Sequence, residues 1–271
     1  ASLGSALAEN DPRVLLMTDK ETYSGFMVSA DKTKILWKES EASTVRRQLS
    51  LATTTVYFVE PAEFTEALEL YKSRNYKDAR TKFAACAELY EKVREVKGNF
   101  STLAKFYEME CARKLEDLDG LMALHEKFDP ENLLHDFHKL QVRIDGIFWD
   151  AVRTKSWVRL DGLVMDDEWR NARLPGNLRA QLAYCHGLAL EGMNQPTKAL
   201  NAYNGAFIAD FGASEEITKK AALNCLRILS EHPDVKLAMQ LYKTEDYSDD
   251  SSGAFLIKEG TALIKLWDKT L

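Results

Sequence analysis

The chain has 271 residues, with 36 Lys and Arg against 42 Asp and Glu and a net charge of −6. That balance argues against a general nucleic-acid binder, whose affinity rests on basic side chains neutralising phosphates. Its apolar stretches fall well short of the roughly 18 residues needed to cross a bilayer. With 13 Gly and 6 Pro in the whole chain, the composition favours helix.

The chain opens ASLGSALAEND. Ala6-Leu7-Ala8 has the small-x-small pattern that precedes signal-peptidase cleavage. The expectation is an exported, periplasmic protein with residues 1–12 as a tail; the alternative is a cytoplasmic one. Residues 13–60 then read as β. Val14–Met17, Tyr23–Ser29, Thr33–Lys38, Thr44–Leu51 and Thr55–Val59 are short runs rich in Val, Thr, Tyr and Phe, separated by turns such as Asp19-Lys20-Glu21-Thr22 and Ala30-Asp31-Lys32. Gly25 permits a bulge or sharp bend. Five short strands with tight turns suggest a small curled antiparallel sheet or barrel.

Pro61 opens the helical part, 61–271. Over residues 62–92, Tyr76, Ala79, Phe83 and Cys86 follow one another at +3, +4 and +3, one helix face. Residues 99–128 read as two further helices. Asp129-Pro130-Glu131 reads as a helix start, with the helix running from Leu133 to Arg153. Trp157–Met165 is the next helix, and Asp166–Asn177 is a loop broken by Pro175-Gly176. Gln181–Gly212 is the best-formed unit, two helices turned at Asn194-Gln195-Pro196, with Gly187, Ala199 and Ala206 small and Tyr203 beside them. Its spacing from Ala199 to Tyr203 to Ala206 repeats that from Ala79 to Phe83 to Cys86, an internal-repeat signature. A capping Ser214, a helix start at His232-Pro233-Asp234, an acidic loop at 243–252 and a terminal amphipathic helix from Ala254 complete the chain.

Two resemblances attach to these residues. The β segment, through Val14, Leu16, Gly25, Met27, Val28, Ile35, Trp37, Leu49, Leu51, Val56 and Phe58, resembles the Sm-like or SH3-like small β-barrel found before helical repeats in many bacterial exported proteins. The helical units resemble the tetratricopeptide repeat, with Gly187 and Ala67 at the family's small position of the first helix. Arg74 and Asn194 stand where that family has Gly, and Glu91 and Phe211 where it has Pro. Together they imply an α+β protein: a small antiparallel barrel at 13–60, then an all-α solenoid of antiparallel helix pairs with a C-terminal capping helix.

Chemistry is thinly signalled. There is no GxSxG, HExxH, phosphate-binding loop or GxGxxG after a strand. His135-x-x-His138 places two imidazoles on one helix face and leaves a metal or enzymatic reading as an alternative. Asp166-Asp167-Glu168 and Asp246, Asp249 and Asp250 lack the spacing of a calcium loop. Asn99-Phe100-Ser101 is a glycosylation sequon by pattern. Cys86, Cys111, Cys185 and Cys225 form no CxxC pair and sit among apolar residues, with Cys86–Cys111 and Cys185–Cys225 open as disulfides. No cofactor is expected. The tetratricopeptide resemblance implies a groove contributed by first helices, at Tyr71, Lys72, Asp145, Trp149, Arg153, Gln181 and Tyr184, for a protein or peptide rather than nucleic acid. Trp149 and Tyr184 read equally as core between repeats. The expectation is a non-enzymatic interaction scaffold in an exported or envelope-associated assembly; a nucleic-acid-associated barrel is a further alternative.

Overall fold

The computed structural model describes residues 11–209, 215–244 and 248–270; Ala6–Ala8, Phe211, Gly212, Ser214 and Asp246 lie outside the described residues. The N-terminal part forms β1 (Arg13–Met17), β2 (Thr22–Ala30), β3 (Lys34–Lys38), β4 (Arg47–Ser50) and β5 (Thr55–Phe58). They make one antiparallel sheet in the order β4-β3-β2-β1-β5. The protein is thus α+β, but the sheet is open where a barrel was expected. β4 is four residues long, with Leu49 its one apolar side chain, so little apolar surface drives it to meet β5. The strands alternate as the pleat requires: Val14 and Leu16 are buried while Arg13, Leu15 and Met17 are exposed. The register shift in β2 falls between Met27 and Ser29. Gly25 serves close approach instead, since a Cβ there would lie 2.4 Å from the Lys38 carbonyl oxygen and 2.8 Å from the Trp37 ring.

The sheet does not have a core of its own. Val14, Leu16, Met27, Ile35 and Trp37 are continuous with Phe64, Ala67, Phe83, Val96 and Phe100 from the helices that follow. Asp11, almost without solvent exposure, pairs with Lys38 at 2.8 Å and with Lys92, linking the end of β3 to the turn after the second helix. The chain divides into compact units at 1–146 and 147–271.

The helices are α1 (Ala62–Lys72), α2 (Tyr76–Leu89), α3 (Phe100–Lys114), α4 (Leu118–His125), α5 (Asp136–Ile144), α6 (Asp150–Arg153), α7 (Trp157–Met165), α8 (Asp167–Arg170), α9 (Gly176–Gly192), α10 (Pro196–Ala209), α11 (Glu215–Glu231), α12 (Pro233–Lys243) and α13 (Ser252–Thr270). The helix expected over 133–153 starts three residues late, after a 3-10 turn at Pro130–Asn132, and contains a π turn at Asp145–Trp149. The expected loop at 166–177 holds α8, whose Trp169 is buried edge-on against Phe148, 4.9 Å between ring centroids. The sequon at Asn99 is a helix cap: the nearly buried Asn99 side chain accepts from the Thr102 N–H at 2.7 Å. All four cysteines are buried thiols, not disulfides. Burial first, then Glu63, pushes the Cys86 thiol up to about 12.

One turn recurs four times. Arg74 (φ 64°), Glu116 (φ 61°), Lys155 (φ 52°) and Asn194 (φ 60°) are left-handed, at intervals of about 40 residues. Each follows the end of one helix and stands just before the residue that leads into the next. That following residue's N–H donates back to a carbonyl five positions earlier: Asn75 to Leu70, Asp117 to Ala112, Ser156 to Ala151 and Gln195 to Leu190, at 2.8–3.0 Å. This is the Schellman arrangement, which satisfies the last carbonyls of the first helix. Five residues after each left-handed residue stands a side chain with no exposed surface: Ala79, Leu121, Leu160 and Ala199. Seven residues before it stand Ala67, Met109, Phe148 and Gly187, all buried. The hairpins α1–α2, α3–α4, α6–α7 and α9–α10 therefore share one local rule.

Candidate functional site

The first unit holds a cleft of about 630 Å³. One wall is β5 with Leu51 and Thr54 before it; the other is the 95–100 segment with Leu103, Leu133, Leu134, His135 and His138. The floor is apolar for a simple reason: β5 alternates, and Val56 and Phe58 turn toward the helices while Thr55 and Tyr57 are exposed. Phe58 meets Phe100 edge-on at 6.5 Å, and Phe100 meets Phe64 at 4.9 Å. Tyr57 and Leu134 stand exposed at the lip.

The far wall is pinned by backbone contacts. Gly98 takes a φ of 79°, and its N–H donates to the Asn132 carbonyl at 2.8 Å. The Asn132 and Asn99 side-chain amides both donate to the Arg94 carbonyl, each at 2.9 Å. The cleft thus has a fixed shape before any ligand arrives, which lowers the cost of binding.

Two buried polar atoms at the cleft have no hydrogen-bond partner: Thr54 Oγ1 and His138 Nδ1. Thr54 is 8% exposed. The His138 ring lies 4.4 Å from Phe106 and 5.5 Å from His135. Burial, and then His135, hold His138 below the ordinary imidazole range, so it is neutral at pH 7. Among the described residues, no group of three or more His, Cys, Asp and Glu is placed to hold a metal ion. Lys97 stands exposed at the lip with no carboxylate in pairing distance among the described residues.

Of the seven residues expected to line a groove, Asp145, Trp149, Gln181 and Tyr184 are buried. Asp145 has no exposed surface and lies in a buried polar group. There Arg113 donates two bonds to Glu110, at 2.7 and 3.0 Å, and its Nε is 3.7 Å from Asp145 Oδ1. Gln141 donates to Asp145 Oδ1 at 2.9 Å, and the Tyr71 hydroxyl donates to Glu110 at 3.3 Å. Burial, then Glu110, raise Asp145 well above the usual carboxylate range; Arg113 holds Glu110 below it against the cost of burial. In the second unit, Trp149 Nε1 donates to Gln181 Oε1 at 2.9 Å, and the Trp149 and Tyr184 rings are 6.3 Å apart. All three are interior, Tyr184 the most exposed at 8%. Lys72 and Arg153 reach solvent, paired with Glu69 and Asp150 at 2.8 Å. First-helix positions here carry packing and internal polar bonds.

Sequence reasoning missed the cleft. A signal was present: Thr53 to Val59 is a run of seven residues of Thr, Val, Tyr and Phe with no charge and no proline, the composition of a strand edge left open to pairing. No family model, no curated protein and no solved structure matches this chain. No helix among the described residues is long and apolar enough to cross a membrane.

Proposed function

We propose that this protein is a non-enzymatic interaction scaffold that binds a protein or peptide partner. The observation that carries this reading is the preformed cleft, apolar on its floor and open along a strand, with unpartnered polar atoms at Thr54 and His138. Recurrent helical hairpins supply a rigid frame for such a site, as in repeat proteins that present binding surfaces. The small-residue lock at Gly187, Ala199 and Ala206 supports a tetratricopeptide-like description. The interval of about 40 residues between turns is longer than that family's about 34, so the likeness rests on the lock rather than the period.

The test is selection of displayed random peptides on the purified full chain, followed by calorimetry of the recovered sequences. Saturable binding in the micromolar range is expected. Recovery of no sequence that binds saturably would defeat the reading.

A further inference from the structure

The two edges of the sheet differ in how they are protected. At β4, Arg47 lies over the Trp37 ring at 5.8 Å and pairs with Glu39 at 2.7 Å. A short edge carrying charge resists pairing with another strand. β5 (Thr55-Val56-Tyr57-Phe58) carries no charge and no proline.

The backbone of β5 shows which groups are offered. The Val59 N–H donates to the Arg13 carbonyl at 2.9 Å. Hydrogen-bonded pairs alternate along an antiparallel ladder, and β5 is in register with β1 from Val14↔Phe58 to Met17↔Thr55. Thr55 and Tyr57 therefore aim their N–H and C=O groups at β1, and Val56 and Phe58 aim theirs away from it. Those outward groups have no backbone partner among the described residues. Side chains from both faces of the strand line the same cleft, so the cleft follows the strand's edge.

We infer that the cleft takes an extended peptide that adds as a strand to β5, placing alternate apolar side chains on the floor and a carboxylate at the lip. This mode rests on the scaffold reading above. The segments 95–100 and 133–135 line the same cleft as the strand. A second copy of the sheet would have to bring its own such wall into that space, whereas a single peptide strand brings none. Lys97, exposed and lacking a carboxylate partner among the described residues, gives the lip its charge preference. Thr54 Oγ1, buried and unpartnered, meets a peptide polar group at one end of the edge. Main-chain bonds give such a site affinity, and alternate pockets give it selectivity.

The probe is a hexapeptide of alternating valine and threonine with a free terminal carboxylate, titrated into the full ¹⁵N-labelled chain. The Val56 and Phe58 amides are expected to shift and gain protection from exchange, while Thr55 and Tyr57 change little. N-methylation of the peptide should weaken binding at least tenfold at every second residue and leave the intervening positions nearly unchanged. Val56→Pro, which removes an outward N–H and no bond to β1, should do the same, and Lys97→Glu should weaken binding several-fold. Equal effects of N-methylation at all positions would overturn strand addition, and this result does not depend on how the proline variant folds. Perturbation confined to other amides would overturn it while leaving the scaffold reading intact, as would dimerisation through β5 in the absence of peptide. Failure of this peptide together with failure of the displayed library would defeat both.

Discussion

In α9–α10 the two helices meet through Gly187, Ala199 and Ala206, all buried, and Tyr203 fills the space beside them with its hydroxyl donating to Glu191 at 2.6 Å. Around α3 and α5 the interior is instead filled by Glu110, Arg113, Gln141 and Asp145, each no more than 7% exposed. The left-handed turns at Asn194 and Glu116 have the same hydrogen bonds. A hairpin's turn and its interior are thus set independently: the turn needs only a tolerated φ, and the interior needs only that volume and polarity be satisfied. The apolar interior is held by shape. The polar one is held by the Glu110 carboxylate against the Arg113 guanidinium with the Asp145 carboxyl group beside them, and is the more fragile.

The largest expected effect follows from that fragility. Arg113→Ala leaves Glu110 and Asp145 buried without the guanidinium that pairs with them, and should cost about 3–5 kcal/mol in chemical denaturation. A cost under about 1 kcal/mol would mean that water reaches the group. In the apolar hairpin the corresponding break is smaller. A Cβ at Gly187 would sit 2.3 Å from Tyr203 Cε1, and Tyr203 is fully buried. Gly187→Ala should cost about 1–3 kcal/mol, read from the same denaturation curves.

This contrast also explains what was legible in the sequence. The lock at Gly187, Ala199, Tyr203 and Ala206 is apolar and periodic, and period is what sequence reading detects. The α+β division was legible because β runs and helical spacing use different periods. Asp145 was not. Charged residues are read as solvent-facing, and the π turn at Asp145–Trp149 adds a residue to the helix and moves every side chain around its axis. The offsets that the tetratricopeptide resemblance implies therefore put Asp145 in a groove, and left Trp149 between a groove and the core. Openness of the sheet was hidden too, because pairing of β4 with β5 depends on how two separate segments meet and not on either one's propensity.

The same buried charge group should show in pH. Asp145 is raised above its unfolded value by burial and by Glu110. The native state holds that proton more tightly than the unfolded state. Its stabilising contribution is full below the unfolded value of about 3.9 and is lost as pH rises toward the folded one. Glu110 is lowered, so its contribution is present above its unfolded value and is lost as pH falls. Asp145→Asn imitates the protonated form and removes the first dependence alone. Its stability relative to the parent chain should rise as pH climbs from about 4 over the range in which the fold is stable. A flat difference across that range would mean that Asp145 is ionised in the fold.

The smallest effects test whether the turn is common to both kinds of hairpin. At Arg74, Glu116, Lys155 and Asn194 the backbone is left-handed, a conformation that costs a side-chain-bearing residue about 1–2 kcal/mol relative to right-handed helix and costs glycine little. Replacement by Gly relieves that strain and gives the unfolded chain more freedom, so the two terms oppose one another. Arg74→Gly, Glu116→Gly and Lys155→Gly should each stabilise by about 0.5–1 kcal/mol. Asn194→Gly should gain only a few tenths, because Asn already tolerates this conformation. If Glu116→Gly behaves like Lys155→Gly, the turn is indifferent to whether the hairpin behind it is charged or apolar. If Glu116→Gly instead destabilises, its side chain contributes to the fold at that turn, and the four turns share geometry without sharing energetics.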